Sequence, residues 1–189
     1  MRALLSLLAL CLAPAAYADG LFSMHSHEDG RKWEAVGRLE LAGKAFCTGA
    51  LIAPDLVLTA AHCLYDVDTG EPVPVDEIQF LAGWRNGRAA AYRRVRRAIA
   101  HPDYDFTATD ATARVRRDLA LIELQLPIRN SAITAFETGP HPDRGAALSV
   151  VSYAHNRSEA PSLQGLLQRE FKTVVFREIF PGVFRDGSA

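Results

Sequence analysis

Between Val36 and Leu124 the chain is divided into short runs that suit β-strands, each bounded by turn-forming residues. Val36–Leu41 alternates apolar and polar side chains, the pattern of a strand with one face buried. Phe46–Ile52 and Leu56–Thr59 follow, with Pro54-Asp55 as the turn between them. Ile78–Ala82 is the next run, and Trp84-Arg85-Asn86-Gly87 supplies a hairpin-type turn. Ala89–Ala100 suits one long strand or a bulged pair, and Leu119–Leu124 is a buried strand. Six short strands with turn signals between them predict an all-β fold, a closed antiparallel barrel over residues 33–126. Ala60–Leu64 reads as a helical turn, 67–75 as a loop rich in Asp, Gly and Pro, and 101–117 as a polar loop.

Residues 127–146 read as a connector containing Pro140 and Pro142. Ala147–Tyr153 starts a fresh strand, 155–162 reads as polar loop, and 163–180 is divided between helix (Leu166–Phe171) and strand (Thr173–Phe176). Apolar residues make up 49% of the 189, enough for a packed core, and the net charge of −1 argues against nucleic-acid binding by bulk charge. Arg93, Arg94, Arg96 and Arg97 form a basic strip, with Arg114, Arg116 and Arg117 further on. In a regular strand Arg94 and Arg96 share one face, Arg93 and Arg97 the other. The strip suits an edge strand kept from aggregating by its charge, or a surface for an acidic partner.

The first eighteen residues carry the pattern of a secretory signal peptide. Arg2 gives the positive start, Ala3–Ala13 an apolar run too short to span a bilayer, and Ala16-Tyr17-Ala18 a small-x-small cleavage site before Asp19. A retained anchor is the alternative, and Leu10 is too large for a lipoprotein site at Cys11. Residues 19–32 read as an exposed lead; His25 and His27 stand at i, i+2 but make a poor metal site on their own. The chain is expected to be exported, periplasmic or extracellular, with no membrane contact after signal removal. Cleavage leaves Cys47 and Cys63, an even pair that favours a disulfide over two reduced thiols, and a zinc site lacks a second ligand pair.

The segment Cys47-Thr48-Gly49-Ala50-Leu51-Ile52-Ala53-Pro54, running into Val57-Leu58-Thr59-Ala60-Ala61-His62-Cys63, resembles the surroundings of the catalytic histidine in trypsin-like serine peptidases of the chymotrypsin fold. Asp118, in Arg117-Asp118-Leu119-Ala120-Leu121-Ile122, is similar to that family's aspartate in its Asp-aliphatic-Ala-Leu setting, and His-then-Asp is the family's order. His101-Pro102-Asp103-Tyr104 is similar to a segment often found ahead of that aspartate, where the histidine is structural. The resemblance implies His62 as general base and Asp118 as the acid that fixes its tautomer. It implies a protein or peptide substrate, hydrolysis through an acyl-enzyme, and no cofactor or metal.

The resemblance covers residues 33–155. The family's nucleophile sits in a Gly-x-Ser-Gly setting that also supplies oxyanion-hole N–H groups, and no serine after Asp118 (131, 149, 152, 158, 162 or 188) has that setting. Trp33–Arg38 has no equivalent of the aliphatic N-terminus released in trypsin-like zymogens and looks closer to secreted bacterial members. Residues 147–189 are therefore expected to form a partial second barrel or an aberrant tail, and the chain to be truncated and inactive alone. A non-catalytic binding module on a peptidase-derived barrel is the competing expectation.

Overall fold

The computed structural model describes residues 22–23, 27–139, 143, 147–154 and 157–167. Nine strands are described: β1 (Phe22–Ser23), β2 (Val36–Leu41), β3 (Ala45–Ala53), β4 (Leu56–Thr59), β5 (Ile78–Ala82), β6 (Ala91–Ala100), β7 (Ala120–Leu124), β8 (Ala147–Ala154) and β9 (Arg157–Leu167). Two short helices, α1 (His27–Gly30) and α2 (Ala111–Arg116), and three 3-10 turns complete them. β2 to β7 close into an antiparallel barrel in the order β2-β3-β4-β7-β6-β5, and β1, β9 and β8 form a separate three-stranded sheet. The fold is all-β and chymotrypsin-like in its barrel. Among the described residues no helix is long and apolar enough to cross a membrane.

Alternation decides which side chains fill the barrel. Leu39, Leu51, Val57, Ile78, Phe80, Val95, Ile122 and Leu124 point inward and are fully buried. Phe80 occupies the centre because two neighbouring strands carry glycine there. A Cβ on Gly37 would lie 2.2 Å from the Phe80 ring, and one on Gly49 would lie 2.6 Å from Val57 Cγ1. β7 is apolar on both faces: Leu121 packs outward with Leu56, Ile52, Leu58 and Ile99. This accounts for the apolar run Leu119–Ile122 that precedes Glu123. Between β5 and β6, Asn86 (φ 50°) and Gly87 (φ 81°) both take left-handed backbone, the requirement of a tight hairpin turn.

Four expectations are corrected. The expected loop at 155–162 is largely strand: β9 begins at Arg157 and pairs with β8 through Leu167. Its polar run hid it, and the register breaks between Ser152 and Ala154, opposite the stretch that holds Pro161, which has no N–H to donate. The polar loop at 101–117 contains α2, capped by Asp110, whose carboxylate accepts from the Thr112 and Ala113 N–H groups. β6 is no edge strand, since β5 and β7 flank it. Within the stretch expected as an exposed lead, Phe22–Ser23 pairs with Leu163 and Ser162 of β9, and Gly30 is buried.

A candidate base–acid pair at the barrel rim

β4 and β7 are neighbours with Thr59 opposite Ala120. The chain leaving β4 and the chain entering β7 therefore emerge side by side. Three residues past Thr59, the 3-10 turn Ala61–Leu64 carries His62; two residues before Ala120 stands Asp118. Buried Ala61 and Cys63 anchor the turn on either side and leave the His62 ring facing outward. Cys63 is joined to Cys47 on β3 by a disulfide, with Cα atoms 6.2 Å apart.

The turn has no side-chain cap of its own. Asp118 supplies one: its Oδ1 accepts the His62 backbone N–H at 2.8 Å. The other oxygen, Oδ2, lies 2.6 Å from His62 Nδ1. A carboxylate offers acceptors only, so Nδ1 carries the hydrogen and donates it, which leaves the Nε2 lone pair outward. The imidazole is 55% exposed and the carboxylate 21%.

Asp118 is not paired with its arginine neighbours. Arg117 contacts Asp103 instead. His101 accepts the Asp103 N–H at Nδ1 (3.1 Å) and its carbonyl takes the Tyr104 N–H (2.9 Å), which holds the loop before α2 in a turn. An aromatic wall stands beside the pair: Tyr65 stacks on Phe106 at 5.2 Å and meets Tyr104 at 5.9 Å. Burial, and then the Asp118 charge, push the Tyr104 hydroxyl above the usual tyrosine range. His62 and the sulfurs of Cys47 and Cys63 cluster within 4.8 Å, but sulfurs bonded to each other offer no thiolate to a metal.

The small sheet reaches the barrel through contacts that no motif signals. The Tyr153 backbone N–H donates to Thr48 Oγ1 at 2.9 Å, and its hydroxyl donates to the Trp84 carbonyl at 2.7 Å. Burial pushes this hydroxyl far above the ordinary tyrosine range, with Arg85 and Arg38 opposing weakly. The partners lie 105 and 69 residues away in sequence, so local pattern carries no trace of them. Among the described residues no serine hydroxyl is bonded to His62. His25 and Ser188 lie outside the described residues.

A family model described as Trypsin matches residues 24–177. The chain is 31% identical over 121 residues to Modular serine protease of Drosophila melanogaster, covering 63% of this chain and 18% of that protein. It is 34% identical over 96 residues to Serine protease 56 of Homo sapiens (51% and 14%), and 36% identical over 86 residues to Trypsin of Phaedon cochleariae (44% and 29%). It thus spans less than a third of each of these relatives. Among solved structures, Glu endopeptidase in complex with MPD matches at TM-score 0.65 and 18% identity, covering 82% of this chain and 71% of that one. Kallikrein-related peptidase 10 in complex with Zn2+ matches at TM-score 0.54 and 21% identity, covering 82% and 66%. At these identities the structures speak to the fold.

Proposed function

The chain belongs to the trypsin family, and on that premise we propose that it carries the base and the orienting acid of an exported serine endopeptidase. In that role His62 Nε2 takes the proton from a serine hydroxyl as the hydroxyl attacks a peptide carbonyl. It then returns the proton to the leaving amine, giving an acyl-enzyme that water hydrolyses. Asp118 holds the Nδ1–H tautomer and stabilises the imidazolium that forms. Residues 33–126 supply both groups. The substrate is a protein or peptide. Because no serine after Asp118 stands in a Gly-x-Ser-Gly setting, the 189-residue polypeptide by itself does not hydrolyse peptides. Export is supported by the signal-like first eighteen residues and by the disulfide.

The observation that carries this reading is the double acceptance by Asp118, of the His62 backbone N–H and of its ring. Proton NMR tests it. A strongly bonded Nδ1–H resonates far downfield of the amide envelope; it is expected in the native chain and absent from Asp118→Asn and His62→Ala. Its absence from a folded native chain overturns the base–acid assignment. A serine-reactive fluorophosphonate is expected to label nothing, and labelling of the purified chain overturns the claim of inactivity.

A further inference from the structure

The arginine strip on β6 needs a reason other than edge protection, since β6 is enclosed between β5 and β7. The register breaks between Val95 and Arg97, so Arg96 has no partner residue across the ladder. A bulge of this kind turns two successive side chains to one face. Arg96 and Arg97 both reach the same outward carboxylate, Glu123, each at 3.2 Å. Strict alternation places them on opposite faces; the bulge unites them. Arg94 lies exposed, in register with Gln79. Arg93 turns to the strand's end and donates to the carbonyls of Tyr92, Leu126 and Pro127.

Four guanidinium groups thus line a single strand, and two of them, Arg96 and Arg97, share one carboxylate. Arg96 and Arg97 remain 52% and 45% exposed despite it. Arg96 is also steadied by the Gln125 carbonyl at 3.0 Å, so part of its rotamer freedom is already lost before any ligand arrives. The planar fork of arginine matches the oxygens of sulfate or phosphate two at a time. From Arg94 to Arg97 the strip runs about 10 Å at strand rise and is one strand wide. That shape suits a thin, linear, highly charged chain rather than the broad face of a bilayer.

We propose that the outer face of β6, through Arg94, Arg96 and Arg97 with Arg93 at its end, is a docking strip for a linear sulfated polysaccharide. Each bound sulfate displaces counterions and takes over part of the pairing that Glu123 provides.

The test is fluorescence anisotropy of the full chain with labelled dextran sulfate of defined length, at two salt concentrations. Binding is expected to weaken with salt, by about 0.7–0.9 log units of affinity per log unit of salt for each charge neutralised. Arg94→Ala is expected to weaken it about fivefold, and the triple Ala variant at 94, 96 and 97 about a hundredfold with a shallower salt slope. Glu123→Gln removes the competing carboxylate and is expected to tighten binding, a gain that misfolding cannot produce. Undiminished affinity in the triple variant, unchanged or weaker binding in Glu123→Gln, or tighter binding to anionic vesicles or single-stranded DNA than to dextran sulfate each overturns the proposal.

Discussion

Replacing both Cys47 and Cys63 by alanine tests what the cross-link contributes. The bond closes a loop between residues 16 apart, taking in most of β3, all of β4 and the turn that bears His62. Chain entropy for a loop of that size gives a loss of about 3 kcal/mol, acting on the unfolded ensemble. For a chain of this length that corresponds to a fall in Tm of roughly 6–12 °C. Alanine keeps the buried Cys63 site apolar, so no unsatisfied hydroxyl is added to the loss. Urea titration followed by far- and near-ultraviolet circular dichroism separates the sources. If the disulfide works by restricting the unfolded chain, the variant folds to the same near-ultraviolet spectrum and its m-value rises, because the freed chain exposes more surface. The downfield His62 proton should also persist, since Asp118 rather than the disulfide holds the ring. A loss below about 1 kcal/mol with an unchanged m-value would refute the chain-entropy argument. Loss of the His62 signal in a folded variant would refute the claim that Asp118 alone orients the ring.

Gly37→Ala drives a Cβ to 2.2 Å from the Phe80 ring and 2.8 Å from the Leu81 carbonyl oxygen, an overpacking that costs about 1–3 kcal/mol. A urea midpoint unchanged from the native chain would show that the barrel yields more readily than its packing implies. Tyr153→Phe removes the hydrogen bond to the Trp84 carbonyl and lowers stability by about 1 kcal/mol at neutral pH. Because the folded hydroxyl titrates above its ordinary value of 10.0, its stabilisation is present below pH 10 and lost as pH rises towards the folded value. The gap between native and variant melting temperatures should therefore narrow above pH 10, and a constant gap contradicts the burial argument.

Much of the barrel was legible because its strands obey one local rule. Val36–Leu41 and Ile78–Ala82 stand where alternation and turn residues put them. The hairpin at Asn86-Gly87 follows from two residues that tolerate left-handed backbone. The rule fails where tertiary contact overrides it. The first part of β9, through Ser162, is polar enough to read as loop, and its ladder with β8 holds the strand extended. α2 has no buried residue, so it has no apolar stripe to announce it and rests on the Asp110 cap. The bulge at Arg96 reverses the face of Arg97 without any glycine or proline to mark it. At the rim, His62 and Asp118 stood out by their neighbours in sequence. What joins them, the adjacency of β4 and β7, is a property of barrel closure between residues 56 apart and has no local signature.

The energetics of that pair favour geometry over stabilisation. With the imidazole more than half exposed, an ion pair there contributes at most about 1 kcal/mol, less than the disulfide beside it. Yet the carboxylate is used twice. It replaces the missing cap of the 3-10 turn and, with its second oxygen, fixes the ring on the same residue. Backbone and side chain of His62 are thereby referred to one rigid point at the mouth of β7, whose neighbouring side chains Ala120, Leu121 and Ile122 are fully buried. A base that must present Nε2 to a hydroxyl within hydrogen-bond reach gains from this coupling. Motion of the turn carries the ring with it, and the barrel's register, rather than a flexible loop, sets the direction of the lone pair.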